Sequence, residues 1–291
     1  MPKVSDLLDR AGLGDAARIV VVCLEELGFS LGANDAIYGC LRGGAGTSAS
    51  LMVPAPWARG AASDYRGEDV GVQLTLNAEH DLYRWGPLTH APSLLDGDGG
   101  FPRTAEDVWE HADLDEVRRE WRAQIERAVL WGFDVSHLSV HLEQLVLKPE
   151  FFDAYLDLAE EFALPLRLPD AGLAGAAGFP MRALAGERGV VAPGRVVHLD
   201  VGAGPTDVDG LVALIGQLPP GISEIVLRPV SDTPELRRAA PRQWQERSGD
   251  AQLCGPQGPL AEALRRSSVA VAGYRALRAA MRDARRAGGR Q

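Results

Sequence analysis

The uninterrupted apolar run IVVVCL, residues 19–24, constrains this chain more than any other feature. With no polar residue in alternation, such a run reads as a strand buried on both faces, which a parallel sheet covered by helices requires. Comparable short runs recur at 48–53, closed by Pro54 and Pro56, and at 70–76, 135–142, 165–168, 196–201, 222–227 and 269–271. The segments between them carry helix signals. Residues 34–41 end at the Gly43-Gly44 stop, and 149–162 begin with proline in the first turn. Within 113–131, Leu114, Val117, Trp121, Ile125, Ala128 and Val129 recur at helical spacing, which is ordinary helix packing rather than a membrane face. Helices are also expected at 207–218, at 260–266 and from Tyr274 onward, the last one basic.

Alternating strand and helix over the whole length predicts an α/β fold with a parallel sheet, closed or nearly closed. The expectation is a single (β/α) barrel-like domain over residues 1–291, a distorted or incomplete TIM-type barrel, with no repeat and no internal boundary. Barrels of about 250 residues commonly form one domain, so the length allows it. Three segments stand outside the alternation. Residues 77–112 are rich in glycine and proline and carry Tyr83, Trp85 and Trp109; a loop that long reads as a lid over a site. Residues 170–194 are rich in glycine and alanine and read as irregular, and the tail 285–291 is expected to fray.

Charge removes whole classes of partner. The chain carries 30 Lys and Arg against 40 Asp and Glu, a net charge of −10. That balance repels phosphate backbones and anionic lipid, so neither nucleic acid nor a membrane is an expected partner. The opening MPKVSDLLDR holds charges and no apolar signal core, and no stretch approaches the roughly 20 apolar residues of a spanning helix. Cys23, Cys40 and Cys254 form no CxxC pair, and an odd, sparse set fits a reducing cytoplasm. The expected protein is cytoplasmic and acts on a small molecule; nothing in the sequence fixes an oligomeric state.

In barrels of this kind reactive groups gather at the C-terminal ends of strands. The first strand runs into Glu25-Glu26. The third ends with Gln73, Thr75 and Asn77 on one face, because strand side chains alternate. The fourth places His137, Ser139, His141 and Glu143 on one face, with Leu138, Val140 and Leu142 on the other. Polar groups on an inward strand face are costly unless partnered, so their convergence marks a site. Two adjacent carboxylates in a cleft repel, which raises one pKa and makes a general acid. Salt-bridged structural acids, one of them paired with Arg228, are the other reading. Glu25, Glu26, His141 and His137 are therefore the catalytic candidates. Gln73, Ser139, Glu143 and Arg228 are candidates for binding substrate, as are Tyr83 and Trp85 unless these two only pack on the barrel rim. His80, His90, His111 and His198 have no matching partners and read as surface or core.

The order of these motifs resembles one known family. An apolar strand leads to an acidic pair followed by Leu-Gly and Ser. Then come TSASLMVPAPW, GVQLTLNAEHDLYRWGP, SHLSVH, LRLP and, late in the chain, ISEIVLRPVSDTPEL. The set looks like the YdjC-like (ChbG/HpnK) carbohydrate deacetylases over nearly the full length. The resemblance implies metal-dependent hydrolysis, with two aspartates after the first strand, a catalytic base and then a metal ligand. This chain has Glu25 and Glu26 there. The family's histidine ligand in Gly-x-His-Leu-Thr-Leu is Gln73 here. Its Thr-His-x-Asp-x-His strand corresponds to residues 136–141, so His141 matches the other histidine ligand and Ser139 stands in place of the aspartate. A late His-Pro pair is Arg228-Pro229.

These replacements have physical consequences. Asp to Glu adds a methylene and moves the carboxylate, and about 1 Å of misplacement can cost about a hundredfold in rate. Gln offers a neutral amide oxygen instead of a nitrogen ligand. Glu26 and His141 remain as metal ligands, with Gln73 as a third if a divalent ion such as zinc or magnesium is weakly held. Arginine at 228 cannot donate a proton near neutral pH. The leading expectation is a repurposed enzyme of this fold, acting on a small polar or polyhydroxylated molecule by acid–base chemistry, with no cofactor and no tightly bound metal. The Ala-, Gly- and Arg-rich composition suits a bacterial protein of specialised metabolism. The alternatives are a metal-dependent carbohydrate N-deacetylase with altered ligands, and a catalytically silent ligand-binding or scaffold homologue.

Overall fold

The computed structural model of the chain describes residues 18–199 and 206–288. Expectations for 1–17, 200–201 and 289–291 lie outside the described residues. The run IVVVCL lies in β1 (Arg18–Leu27), the spine of a parallel sheet. On one side follow β2 (Ser48–Leu51), β3 (Val70–Leu74) and β4 (Leu138–Val140). On the other stand β6 (Gly221–Leu227) and β5 (Arg195–His198), giving the order β4-β3-β2-β1-β6-β5. The short β7 (Ala270–Val271) pairs with Ile19 and Val20, ahead of the point where β2 joins β1. Leu166 bridges to Leu138 beyond β4, and among the described residues no ladder joins that segment to β5. The sheet is a curled half-barrel wrapped by helices, the incomplete form of the expected barrel.

The helices are α1 (Leu31–Gly43), α2 (Ala58–Asp64), α3 (Ala105–His111), α4 (Leu114–Leu130), α5 (Pro149–Phe162), α6 (Ala171–Ala176), α7 (Met181–Glu187), α8 (Val208–Gly216), α9 (Pro234–Ala239), α10 (Trp244–Cys254), α11 (Pro259–Arg266) and α12 (Tyr274–Gly288). Local chemistry sets their starts. Ser30 Oγ accepts from Ala33 N, so α1 begins earlier than the expected 34. Asp113 Oδ1 accepts from the first turn of α4, and Pro149 opens α5 with its preset φ. Among the described residues no helix is long and apolar enough to cross a membrane.

Several expectations need correction. Residues 77–112 are not one unbroken loop, for they hold a 3-10 turn at Pro92–Leu94 and α3. Two carboxylates of α4 fasten them: Glu120 accepts from Leu88 N, Thr89 N and Thr89 Oγ1, and Glu116 accepts from Ser93 N and Oγ. Residues 170–194 form α6 and α7, in keeping with alanine's high helix propensity. The expected strand at 165–168 reduces to the Leu166 bridge. The expected tail from 285 starts within a helix: α12 continues to Gly288, and Arg285 Nη1 donates to Glu160 O at 2.9 Å.

Strand alternation divides the half-barrel into two faces. On β1, Val20, Val22 and Leu24 join the large core beneath the helices, whereas Ile19, Val21 and Cys23 face the interior with Ile222, Tyr274 and Leu277. Each such buried aliphatic chain contributes about 1.5–3 kcal/mol. Glu25 is the next interior position on β1. His137, Ser139 and His141 run along the interior of the β4 segment, and Ile222, Glu224 and Arg228 along that of β6. Gly71 makes room for the first of these: a Cβ there would stand 2.4 Å from His137 O.

Candidate active site

The interior series end in a cavity of about 270 Å³ at the C-terminal ends of the strands. Glu25, Glu26, Gln73, His141, Glu143 and Arg228 all line it, together with Glu79, Asp170, His198 and Gln243. Adjacent strand residues normally point to opposite faces. Glu26 escapes this because its φ is +66°, in the left-handed region, and the β1–β2 register shifts between Leu24 and Leu27. Leu142, between His141 and Glu143, has φ +52°. Backbone held in this region costs of order 1–3 kcal/mol and clusters at functional sites.

Each glutamate has its own arginine. Arg167 Nη1 contacts Glu25 Oε1, and its Nε donates to Glu224 Oε1 at 3.0 Å, so one fully buried cation stands between two carboxylates. Burial alone would raise the Glu25 carboxyl, but Arg167, then Arg228 and His198, hold it below the usual carboxylate value. Arg247, from α10, reaches both Glu26 oxygens and also donates to Gln243 Oε1 at 3.1 Å. Gln73 ties the two glutamates together: its Oε1 accepts from Glu26 N at 3.0 Å and its Nε2 donates to Glu25 Oε1 at 3.1 Å. The expected pairing with Arg228 is thus corrected. Arg228 leans on Glu246 at 3.4 Å, and its backbone N donates to Asp250 Oδ2 at 2.7 Å. Burial pushes Asp250 up to about 7.

The opposite wall holds a second pair. His141 Nε2 lies 2.9 Å from Glu79 Oε2. Burial opposes charge on both partners, yet the imidazolium is held above the usual histidine value and the carboxylate well below its own, each by the other's charge and hydrogen bond. Glu143 behaves differently. It stands at the start of a 3-10 turn, its Oε1 has no hydrogen-bond partner, and His198 Nε2 lies 3.9 Å away. Burial pushes its carboxyl up to about 8, so it carries a proton at neutral pH.

Four candidates lie elsewhere. His137 sits deeper in the half-barrel, with Ser50 Oγ at 2.9 Å from Nε2 and Ser136 Oγ at 3.0 Å from Nδ1. Its ring stacks on Tyr274 at 3.8 Å, and burial holds it well below the usual histidine value. Ser139 is wholly buried between the two histidines and does not line the cavity. Tyr83 and Trp85 spend their polar tips on backbone, donating to Phe29 O and Asn77 O at 2.8 Å each, and pack with Phe29 and His80. Conversely, His198, read as surface or core, lines the cavity. Arg167, Arg247, Glu79 and Glu224 were not anticipated. Arg167 had a signal, a charge inside the apolar LRLP segment; Arg247, on a polar helix, had none.

The atoms that could hold a metal are already engaged. Arg247 takes both Glu26 oxygens, Gln73 Oε1 accepts from Glu26 N, and His141 Nε2 faces Glu79. Among the described residues no three His, Cys, Asp or Glu side chains are grouped as a metal site. As arranged, Glu26, His141 and Gln73 do not fit a divalent ion.

A curled (β/α) half-barrel with a polar cavity at the carboxyl ends of its strands is the class this geometry defines. A family model described as YdjC-like protein matches residues 19–257, and the chain belongs to the YdjC-like family. A carbohydrate deacetylase of Thermus thermophilus is 37% identical over 248 residues, 84% of this chain and 89% of that protein. One from Brevibacillus brevis is 33% identical over 153 residues, 52% of this chain and 59% of that protein. A crystallised Enterococcus faecalis protein, provisionally described as a cellobiose-phosphate cleavage protein, shares the fold with a TM-score of 0.76. Its identity is 19%, over 90% of this chain and 99% of that one.

Proposed function

We propose that this chain is an enzyme that acts on a small polar or polyhydroxylated molecule by acid–base chemistry, without a tightly bound metal. The observation that carries this reading is the divergence of two cavity carboxyls, Glu143 pushed up to about 8 by burial and Glu25 held below the usual value beside Arg167. Environments that push two titratable groups apart assign acid and base. Glu143, protonated at neutral pH, is the proton donor, and Glu25 is its ionised counterpart. On the other wall Glu79 orients His141 and favours its protonated form, and Arg228 offers guanidinium donors to substrate oxygens.

The relatives' names make N-acetylated oligosaccharides the first substrates to try. Acetate release should be measured on the protein as purified, after dialysis against a strong chelator, and with added zinc. The expected result is turnover that neither chelator nor zinc changes. Activity abolished by chelator and restored by zinc would establish instead a metal-dependent carbohydrate N-deacetylase, the reading favoured by 37% identity over 84% of the chain. Binding of the sugars without turnover would point to a silent homologue.

A further inference from the structure

We propose that Arg247 is the built-in counter-cation of this cleft, and that it closes the site to divalent metals more than does the loss of any one ligand. The inference rests on the metal-free reading above and goes further, because it assigns the closure to one residue of α10. Arg247 is 2% exposed, and both its Nη atoms are directed to Glu26. Gln243, one helical turn earlier, accepts from Nη2 at 3.1 Å, and the guanidinium lies 5.0 Å over the Phe29 ring. These contacts lock the planar fork in place before any ligand arrives. From the other side, the left-handed backbone at Glu26 is held by Gln73 Oε1.

Glu26 lines the cavity with Gln73 and His141, but both its carboxylate oxygens are taken by Arg247. An incoming ion would have to displace a tethered, desolvated guanidinium from its carboxylate and leave the buried charge with only Gln243 and the Phe29 ring, which is strongly unfavourable. The rival account is that histidine is simply missing at position 73. The two accounts separate when that histidine is restored. If ligand loss were the whole cause, Gln73→His alone would create a metal site. If Arg247 occupies the carboxylate, it would not.

The test uses the full chain as wild type, Gln73→His, Gln73→His/Arg247→Ala and Gln73→His/Arg247→Lys. Each is titrated with Co²⁺ and followed by visible absorption, with elemental analysis after dialysis and circular dichroism melts to show that it is folded. Wild type, the single variant and the Lys variant should retain well under one equivalent. The Ala variant should take up about one equivalent, with affinity about ten- to a hundredfold above Gln73→His, since the cost of taking His141 Nε2 from Glu79 is common to every variant. Should the Ala variant fail to fold, Arg247→Met in the same background keeps the apolar stem over Phe29 and carries the same expectation. A full equivalent in Gln73→His would overturn the assignment, as would folded Ala or Met variants that bind no better than the single. Either result leaves the metal-free reading standing. A full equivalent in the wild type brings down both.

Discussion

Within one interior face, His137 and His141 are both buried, at 0% and 3% exposure, yet their charges are opposite in tendency. His137 has neutral neighbours, the hydroxyls of Ser50 and Ser136, the Cys23 thiol and the Tyr274 ring, and it stays neutral. His141 faces the Glu79 carboxylate, which favours its charged form. The contrast extends to the two ends of the half-barrel. The N-terminal end is shut by α12: Tyr274 N donates to Ser48 Oγ, Tyr274 OH donates to Glu224 Oε2, and Arg278 clasps Asp134. The C-terminal mouth stays open and is lined by ion pairs. Burial alone does not separate a structural histidine from a candidate catalytic one; the partner does.

The largest expected effect separates mouth from closed end by activity. Glu143→Gln keeps size and hydrogen bonding and removes the proton, so turnover on an identified substrate should fall about 10²- to 10⁴-fold. Its melting temperature at pH 7 should be unchanged or higher, because a neutral amide replaces an acid that burial already keeps neutral. His137→Asn should do the reverse, lowering the melt while leaving turnover per folded molecule near wild type. Equal loss of turnover in both would erase the distinction drawn between the two ends.

A smaller effect tests the charge at the closed end. Tyr274→Phe removes the donor 2.7 Å from Glu224 Oε2 and leaves that buried carboxylate to Arg167 alone. A hydrogen bond to a charged group contributes about 1.5–3 kcal/mol. Tyr38→Phe, which loses a buried bond to the neutral Ala61 carbonyl, should cost about 0.5–1.5 kcal/mol. Urea unfolding of the two variants measures the difference. If Tyr38→Phe costs as much, the Glu224 charge adds nothing to its hydrogen bond.

Much of this was legible in the sequence. Unbroken apolar runs specified parallel strands, and alternation along 137–141 put His141 on the cavity side; Glu143 reaches it through the left-handed turn at Leu142, and Val140 and Leu142, expected on the other face, line the cavity as well. The same alternation also put His137 there, because period two says which face a residue takes and not how deep it lies. The partners of the glutamates were not legible. Arg167 and Arg247 lie 142 and 221 residues from Glu25 and Glu26, and only the closing of the fold brings them into contact. The break in alternation at Glu26 was hidden for another reason: a left-handed glutamate carries no signal of its own in sequence, as a glycine would. The fastening of 77–112 rests on Glu116 and Glu120, which read as ordinary polar residues of an amphipathic helix.

The most direct probe of the two histidines is the pH dependence of stability, where the effect is smallest. At His141 burial alone would lower the folded value, but the Glu79 charge and hydrogen bond raise it above the ordinary 6.5. Its contribution is therefore complete below 6.5 and is lost as pH rises through the raised folded value. Glu79 is depressed, so its own contribution is present above the ordinary 4.5 and lost only as pH falls toward its low folded value. The pair contributes in full between these two ordinary values. His137 has the opposite sign. Burial, and secondarily Arg167, place its folded value well below 6.5, so the unfolded chain takes up a proton that the folded ring refuses. Stability then falls on acidification below 6.5, by about 1.4 kcal/mol per pH unit. His137→Asn should lessen the slope of this acid limb, to which His80 and His198, also held below the usual histidine value by burial, add with the same sign, and should leave the limb above 6.5 as in wild type. His141→Asn combined with Glu79→Gln, which leaves no unpaired buried carboxylate, should flatten the limb above 6.5. Glu143, Asp250 and His198 are not partners of either histidine, whereas His80, 3.4 Å from Glu79, shifts with the variant of the pair. Urea unfolding at about pH 5, 6, 7 and 8 gives both limbs, and two variants that flatten the same limb would show that the histidines do not differ in charge.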